Sequence, residues 1–106
     1  MEKQYCIVLT TFENEEQAKE IIDGALESNL AACIQVLKIK SHYKWDGKVC
    51  HDDEVLVLFK TSSSVYVALK EYLINNHPYD TPEVLMLDVG DGTDSYLKWV
   101  DEMTAH

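Results

Sequence analysis

His77, Tyr79, Asp80 and Glu83 fall inside one seven-residue stretch, His77-Pro78-Tyr79-Asp80-Thr81-Pro82-Glu83, which also holds both prolines of the chain. An imidazole beside carboxylates is a donor set for Cu(II) or Zn(II). The same groups can anchor a polar ligand in a cleft. The prolines stiffen the stretch: each forces the residue before it, His77 or Thr81, into extended backbone, and neither lets a helix continue. One imidazole with a carboxylate holds an ion only weakly, because tight sites gather three or four such ligands. His77 is the expected imidazole ligand and Glu83 the weaker oxygen donor. A plainer role is open to His77, in which its ring caps the preceding helix and hydrogen-bonds the proline loop.

A second set of residues is polar and aromatic: Tyr43, Trp45, Lys48, Glu54, Lys60 and Tyr79. These residue types suit the lining of a small-molecule cleft between subunits. They equally suit an interface, where aromatic side chains are enriched.

Charge narrows the partners. The chain has nine basic residues, all lysine, against nineteen acidic ones, for a net charge of −10. Nucleic-acid recognition favours a basic face and the bidentate fork of arginine, so no nucleic-acid partner is expected. An acidic surface concentrates cations instead. The three cysteines, Cys6, Cys33 and Cys50, are odd in number and follow no motif spacing. They read as reduced thiols and point to a cytoplasmic protein. The first apolar run is about five residues, too short for a membrane span or a signal-peptide core, so no membrane partner is expected. No nucleophile spacing stands out, and a binding protein rather than an enzyme is the expectation.

The elements that position these groups follow from periodicity. At 106 residues the chain suggests one domain, 1–106. Residues 5–11 form an apolar, β-branched run and predict a buried strand. Asn14 with Gln17 offers a capping box. Ala18, Ile21, Ile22, Ala25 and Leu26 then keep helical spacing, and Asn29 can take the left-handed cap conformation. A long strand follows over 31–45, with Leu37, Ile39, Tyr43 and Trp45 on one face and Lys38, Lys40, His42 and Lys44 on the other. Asp46-Gly47 is a primed-turn hairpin signal, and a return strand runs over 48–61. A two-residue turn sets Lys40 opposite Asp53, Leu37 opposite Leu56 and His42 opposite His51. The facing imidazoles are a possible chelate for Cu(II), Ni(II) or Zn(II), or two solvated side chains on a lysine-rich face.

Ser62 to Ser64 offer caps for a helix carrying Val65, Ala68, Leu69, Tyr72 and Leu73. A buried strand is predicted over 84–89, then a Gly90-Asp91-Gly92 turn. Thr93 is the expected cap of a last helix with Tyr96, Trp99, Val100 and Met103 in a stripe. This order predicts an α+β chain: a ferredoxin-like βαββαβ sandwich with helices on one face of the sheet, an unusually long hairpin and a C-terminal helix. A projecting hairpin bearing Tyr43 and Trp45 predicts subunits that cover each other, since an exposed apolar ribbon is an aggregation hazard.

The proline heptad resembles a signature of the CutA family of divalent-cation tolerance proteins. The likeness extends along the chain. Leu30-Ala31-Ala32-Cys33-Ile34 resembles that family's second-strand start, and Ser41, Tyr43, Trp45, Gly47 and Lys48 resemble its hairpin motif. Glu54 with Lys60-Thr61 and Tyr96-Leu97-Lys98-Trp99 resemble its third strand and final helix. The resemblance implies a ferredoxin-like homotrimer that binds copper or another divalent cation and contributes to metal tolerance. It also implies kinship with PII-like trimers, and so an alternative role as a small-molecule sensor or scaffold with incidental metal binding. Copper-binding members carry Cys at the end of the first strand and a His-His pair before Pro-Tyr. Here Thr10 and Asn76 stand at the first two of those positions, and only His77 carries over. A hydroxyl and an amide are poorer copper ligands than a thiolate and an imidazole.

Overall fold

The computed structural model describes residues 4–106. The chain forms strand β1 (Tyr5–Phe12), helix α1 (Glu15–Glu27), strands β2 (Cys33–Trp45) and β3 (Lys48–Ser62), a single helical turn (Ser63–Val65), helix α2 (Tyr66–Asn76), strand β4 (Leu85–Val89) and helix α3 (Asp94–Met103). The four strands make one sheet in the order β2-β3-β1-β4 with antiparallel neighbours. Two strand-helix-strand units therefore interleave, as a ferredoxin-like sheet requires.

The local signals explain the ends of α1. Asn14 Oδ1 accepts from the Gln17 amide at 2.9 Å, while Gln17 Oε1 accepts from Glu13, one residue further out than a strict capping box. At the other end Asn29 adopts φ 58°, and the Leu30 amide donates to Ala25 O at 2.9 Å. This is the bond pattern that closes a helix on a left-handed residue.

Alternation builds the core. Cys6, Val8 and Phe12 of β1 and Val55, Val57 and Phe59 of β3 are at most 4% exposed and share one face of the sheet. They pack with Ala18, Ile21 and Ala25 of α1 and with Leu69 and Leu73 of α2. The hairpin runs past this core. Its turn has φ 52° at Asp46 and 73° at Gly47, the primed geometry whose twist matches the strands. Every register pair expected from a two-residue turn is present: Lys40 with Asp53, Leu37 with Leu56, His42 with His51. The projection leaves the chain 46 Å long, with a radius of gyration of 14.6 Å against about 13 Å for a compact domain of this size.

Two expectations change. First, β4 is not buried within the chain. It pairs with β1 alone, and Leu85 and Leu87 stay 54% and 51% exposed. A continuous apolar run signals a preference for burial on both faces, and this chain covers neither face of β4 fully. The side taken by α3 was left open by the sequence. α1 and α2 cover the core side, but α3 lies across the other: Tyr5 Oη donates to Asp101 Oδ2 at 2.6 Å, and Lys60 Nζ sits 5.8 Å above the Tyr96 ring. Second, neither the serines nor Thr93 cap with their side chains. Ser62 Oγ instead meets Thr104 Oγ1 at 2.8 Å, tying β3 to the end of α3.

Gly24 is required by a close approach between helices. A Cβ there would fall on the Tyr72 hydroxyl, which donates to Ile21 O at 2.9 Å. Alanine is favoured over glycine in a helix by about 1 kcal/mol, yet Gly24→Ala is expected to destabilise the fold by about 1–3 kcal/mol through overpacking. Adding Tyr72→Phe, which removes the clashing oxygen, should recover part of the loss. Urea unfolding of the two variants checks this, and a more stable Gly24→Ala would contradict the packing account.

Candidate functional site

An open groove of about 930 Å³ runs between the β2–β3 hairpin and the proline loop. Strand alternation aims Ser41 and Tyr43 of β2, and Asp52 and Glu54 of β3, to one side of the hairpin. The loop after α2 brings Tyr79, Asp80 and Glu83 to the facing wall, and Glu13 comes from the turn before α1. Glu13, Asp52, Asp53, Glu54, Asp80 and Glu83 all line this groove, and no lysine does. A hollow of about 770 Å³ beside it, lined partly by Glu13, Glu15, Lys38 and Lys40, mixes both signs. Only the first carries a field of one sign, and a cleft lined by one sign raises the local concentration of counter-ions.

Two phenols hold two of these carboxylates. Tyr79 Oη donates to Glu54 Oε2 at 2.8 Å, and Tyr43 Oη donates to Asp52. Burial, then the bond to Glu54, pushes the Tyr79 phenol far above its ordinary range. The bond to Asp52 pushes Tyr43 up to about 12. Both phenols therefore remain donors at neutral pH, each fixing one oxygen of an ionised carboxylate. A carboxylate has a second oxygen with which to accept.

Of the residues singled out from sequence, the groove gathers Tyr43, Trp45, Glu54, Tyr79 and Glu83. It does not gather the two lysines. Lys48 sits beside the turn opposite Trp45, and Lys60 lies further along β3, over Tyr96. Asp52 and Glu13 were missed. Alternation along β3 placed Asp52 on the same side as Glu54, so its signal was present. Glu13 carried no such signal, and its arrival in the groove is a tertiary matter.

His77 stands behind the loop. Its ring stacks on Phe12 with centroids 4.4 Å apart and planes 9° from parallel. The Tyr79 amide donates to Nδ1 at 3.1 Å, so Nδ1 is unprotonated and Nε2 carries the hydrogen that it donates to Thr11 O at 2.8 Å. Both ring nitrogens are thus engaged by backbone, locking the heptad onto the end of β1. Burial lowers the imidazole pKa below its ordinary value. Thr10 is fully buried in the core, with no hydrogen-bond partner for its hydroxyl among the described residues. Asn76 Nδ2 donates to Tyr72 O at 2.8 Å within α2. Among the described residues no three His, Cys, Asp or Glu side chains are placed to enclose one ion, and no helix is long and apolar enough to cross a membrane.

This sheet, hairpin and groove define a small ferredoxin-like protein with an acidic cleft. The profile of the CutA1 divalent ion tolerance protein family matches residues 6–103, and the chain belongs to that family. Protein CutA of Mus musculus is 44% identical over 95 residues, covering 89% of this chain and 54% of the mouse protein. The divalent-cation tolerance protein CutA of Pyrococcus horikoshii is 38% identical over 98 residues, covering 92% of this chain and 96% of its own. The chain thus spans about half the length of the mouse relative and nearly all of the archaeal one. The crystal structure of divalent ion tolerance protein CutA1 from Ehrlichia chaffeensis superposes with a TM-score of 0.93 at 28% identity over the whole of both chains.

The His77 geometry has a pH signature. Its folded pKa lies below the ordinary 6.5, so the unfolded chain binds the proton more readily. The stability it contributes is complete above pH 6.5 and is lost as pH falls through the folded value. Thermal unfolding from pH 8 to 5 should show the advantage of wild type over His77→Gln shrinking on the acid side. A pH-independent difference would contradict the neutral, doubly bonded ring.

Proposed function

We propose that this protein is a cytoplasmic homotrimer of single-domain subunits that reversibly binds divalent cations, copper foremost, and so contributes to metal tolerance. Binding without turnover is the mechanism. The observation that carries this reading is the groove: six carboxylates, two of them oriented by tyrosines, with no lysine in the lining. Relatives described as divalent-cation tolerance proteins support the same reading. The exposed apolar faces of β2 and β4 favour subunits that cover one another, and three unpaired cysteines favour a reducing compartment.

Within the heptad, Asp80 and Glu83 are the carboxylates that face the groove, and Glu83 is the proposed oxygen donor. His77 can ligate through Nδ1 only by exchanging the Tyr79 amide for the ion, which makes it a reluctant imidazole donor. Weak capture by oxygen ligands backed by the acidic field is therefore the proposed mode at this end of the cleft.

Titration of the purified protein with Cu(II) against a competing chelator tests the reading. Saturable uptake, weakened several-fold in Glu83→Gln and in His77→Gln, is expected. Wild-type protein that takes no Cu(II) from the chelator overturns direct metal binding. It would promote the sensor or scaffold alternative, in which Tyr43, Trp45 and Tyr79 receive an organic ligand.

A further inference from the structure

Away from the heptad, on the helix side of the hairpin, two imidazoles meet. His42 of β2 and His51 of β3 are direct cross-strand partners. Their Nδ1 atoms are 2.6 Å apart, with ring centroids at 4.7 Å and planes at 78°. Two imidazole nitrogens this close must divide the roles: one carries the hydrogen and the other presents a lone pair. The lone pair of one ring is thus already directed at its neighbour's Nδ1.

A metal ion bound by both nitrogens would lie beside the pair, about 1.4 Å off the line that joins them. Imidazole nitrogen binds such ions at about 2.0–2.1 Å, so two nitrogens at a right angle stand about 2.9 Å apart, and two at a tetrahedral angle about 3.3 Å. From 2.6 Å the right-angle geometry needs an opening of about 0.3 Å, together with a rotation of the exposed rings that turns each Nδ1 lone pair from its neighbour toward the ion. Right-angled nitrogen coordination is the preference of Cu(II) and Ni(II), whereas Zn(II) favours the wider tetrahedron. The backbone under the pair is held on both sides: by the primed turn at Asp46-Gly47, and by the next rung on the same face, where Lys40 Nζ meets Asp53 Oδ1 at 3.1 Å. Lys40 and Lys44 flank His42 on this face and oppose a cation. Asp53 offsets Lys40, and His42 and Asp53 also border the acidic groove.

We propose that His42 and His51 form a bidentate divalent-metal site, selective for Cu(II) and Ni(II) over Zn(II). Both neutral rings bind through Nδ1. The hydrogen that one Nδ1 held moves to that ring's Nε2 through solvent, so no net proton is released. Remaining coordination positions are open to water or to an exchanging carrier ligand. This site goes beyond the heptad reading and stands or falls apart from it.

Competition titrations with Cu(II), Ni(II) and Zn(II) salts on the wild type, His42→Gln, His51→Gln and the double variant test it. Both residues are exposed, so the fold should persist, and circular dichroism checks that. Loss of an outer-shell partner alone typically weakens metal affinity by about 10–100-fold; each single variant should lose at least that much for Cu(II). The double variant should be little worse than either single one, because half a chelate is not a chelate. Electron paramagnetic resonance of the Cu(II) form should show two equivalent imidazole nitrogens, lost in both single variants. Unchanged Cu(II) affinity in either single variant, or tighter binding of Zn(II) than Cu(II), overturns the proposal. Affinity lost only in His77→Gln and Glu83→Gln overturns it while sparing the heptad site. No Cu(II) uptake by wild type overturns both.

Discussion

The pairing of β2 with β3 is the constraint on which the rest of the molecule depends. Side chains alternate between sheet faces with a period of two, so a slip of one residue would send every group to the wrong side. The register is set at one end by Asp46 and Gly47, both in left-handed backbone. Along the ladder, Lys40 against Asp53 favours the same alignment. Given that alignment, Asp52, Glu54 and Tyr43 all enter the groove, His42 meets His51 on the reverse face, and Val55, Val57 and Phe59 reach the core. One turn therefore determines both the hydrophobic packing and the distribution of acidic and imidazole groups.

The two faces of the sheet are treated differently. On one, α1 and α2 close a dry core so tight that Gly24 must lack a side chain beside Tyr72. On the other, α3 covers only the end near Tyr5, Lys60 and Ser62. Leu37, Leu85 and Leu87 remain more than half exposed. Water-facing leucines on the two edge strands are what an association surface requires. The proposed trimer gives that exposure a physical reason: burial absent within one chain is supplied by another.

The chemistry divides between anchoring and binding. His77 has its stacking partner and both hydrogen bonds from its own chain, and it fastens the proline loop to β1. That fastening holds Tyr79 against Glu54 and so shapes the acidic wall. The histidines on the hairpin are each other's side-chain partner among the described residues. A residue already satisfied by backbone is a poor ligand, whereas two exposed imidazoles with adjacent Nδ1 atoms can turn toward one ion.

The sequence by itself determined the elements and the hairpin register, because turn geometry, capping and alternation act over a few residues. It also placed Tyr43, Trp45, Glu54, Tyr79 and Glu83 among the residues to watch, and the groove brings those five together. The side occupied by α3 was decided by tertiary structure, through contacts such as Tyr5 with Asp101 across the length of the chain. So was the exposure of β4: its apolar run expresses a preference for burial, but only the assembled sheet shows that β1 alone flanks it. The environment of His77 was likewise beyond local pattern, since its ring is held by Phe12 and Thr11, more than sixty positions away. Short-range preference fixes the conformation of a segment; what lies opposite it depends on how the whole chain closes.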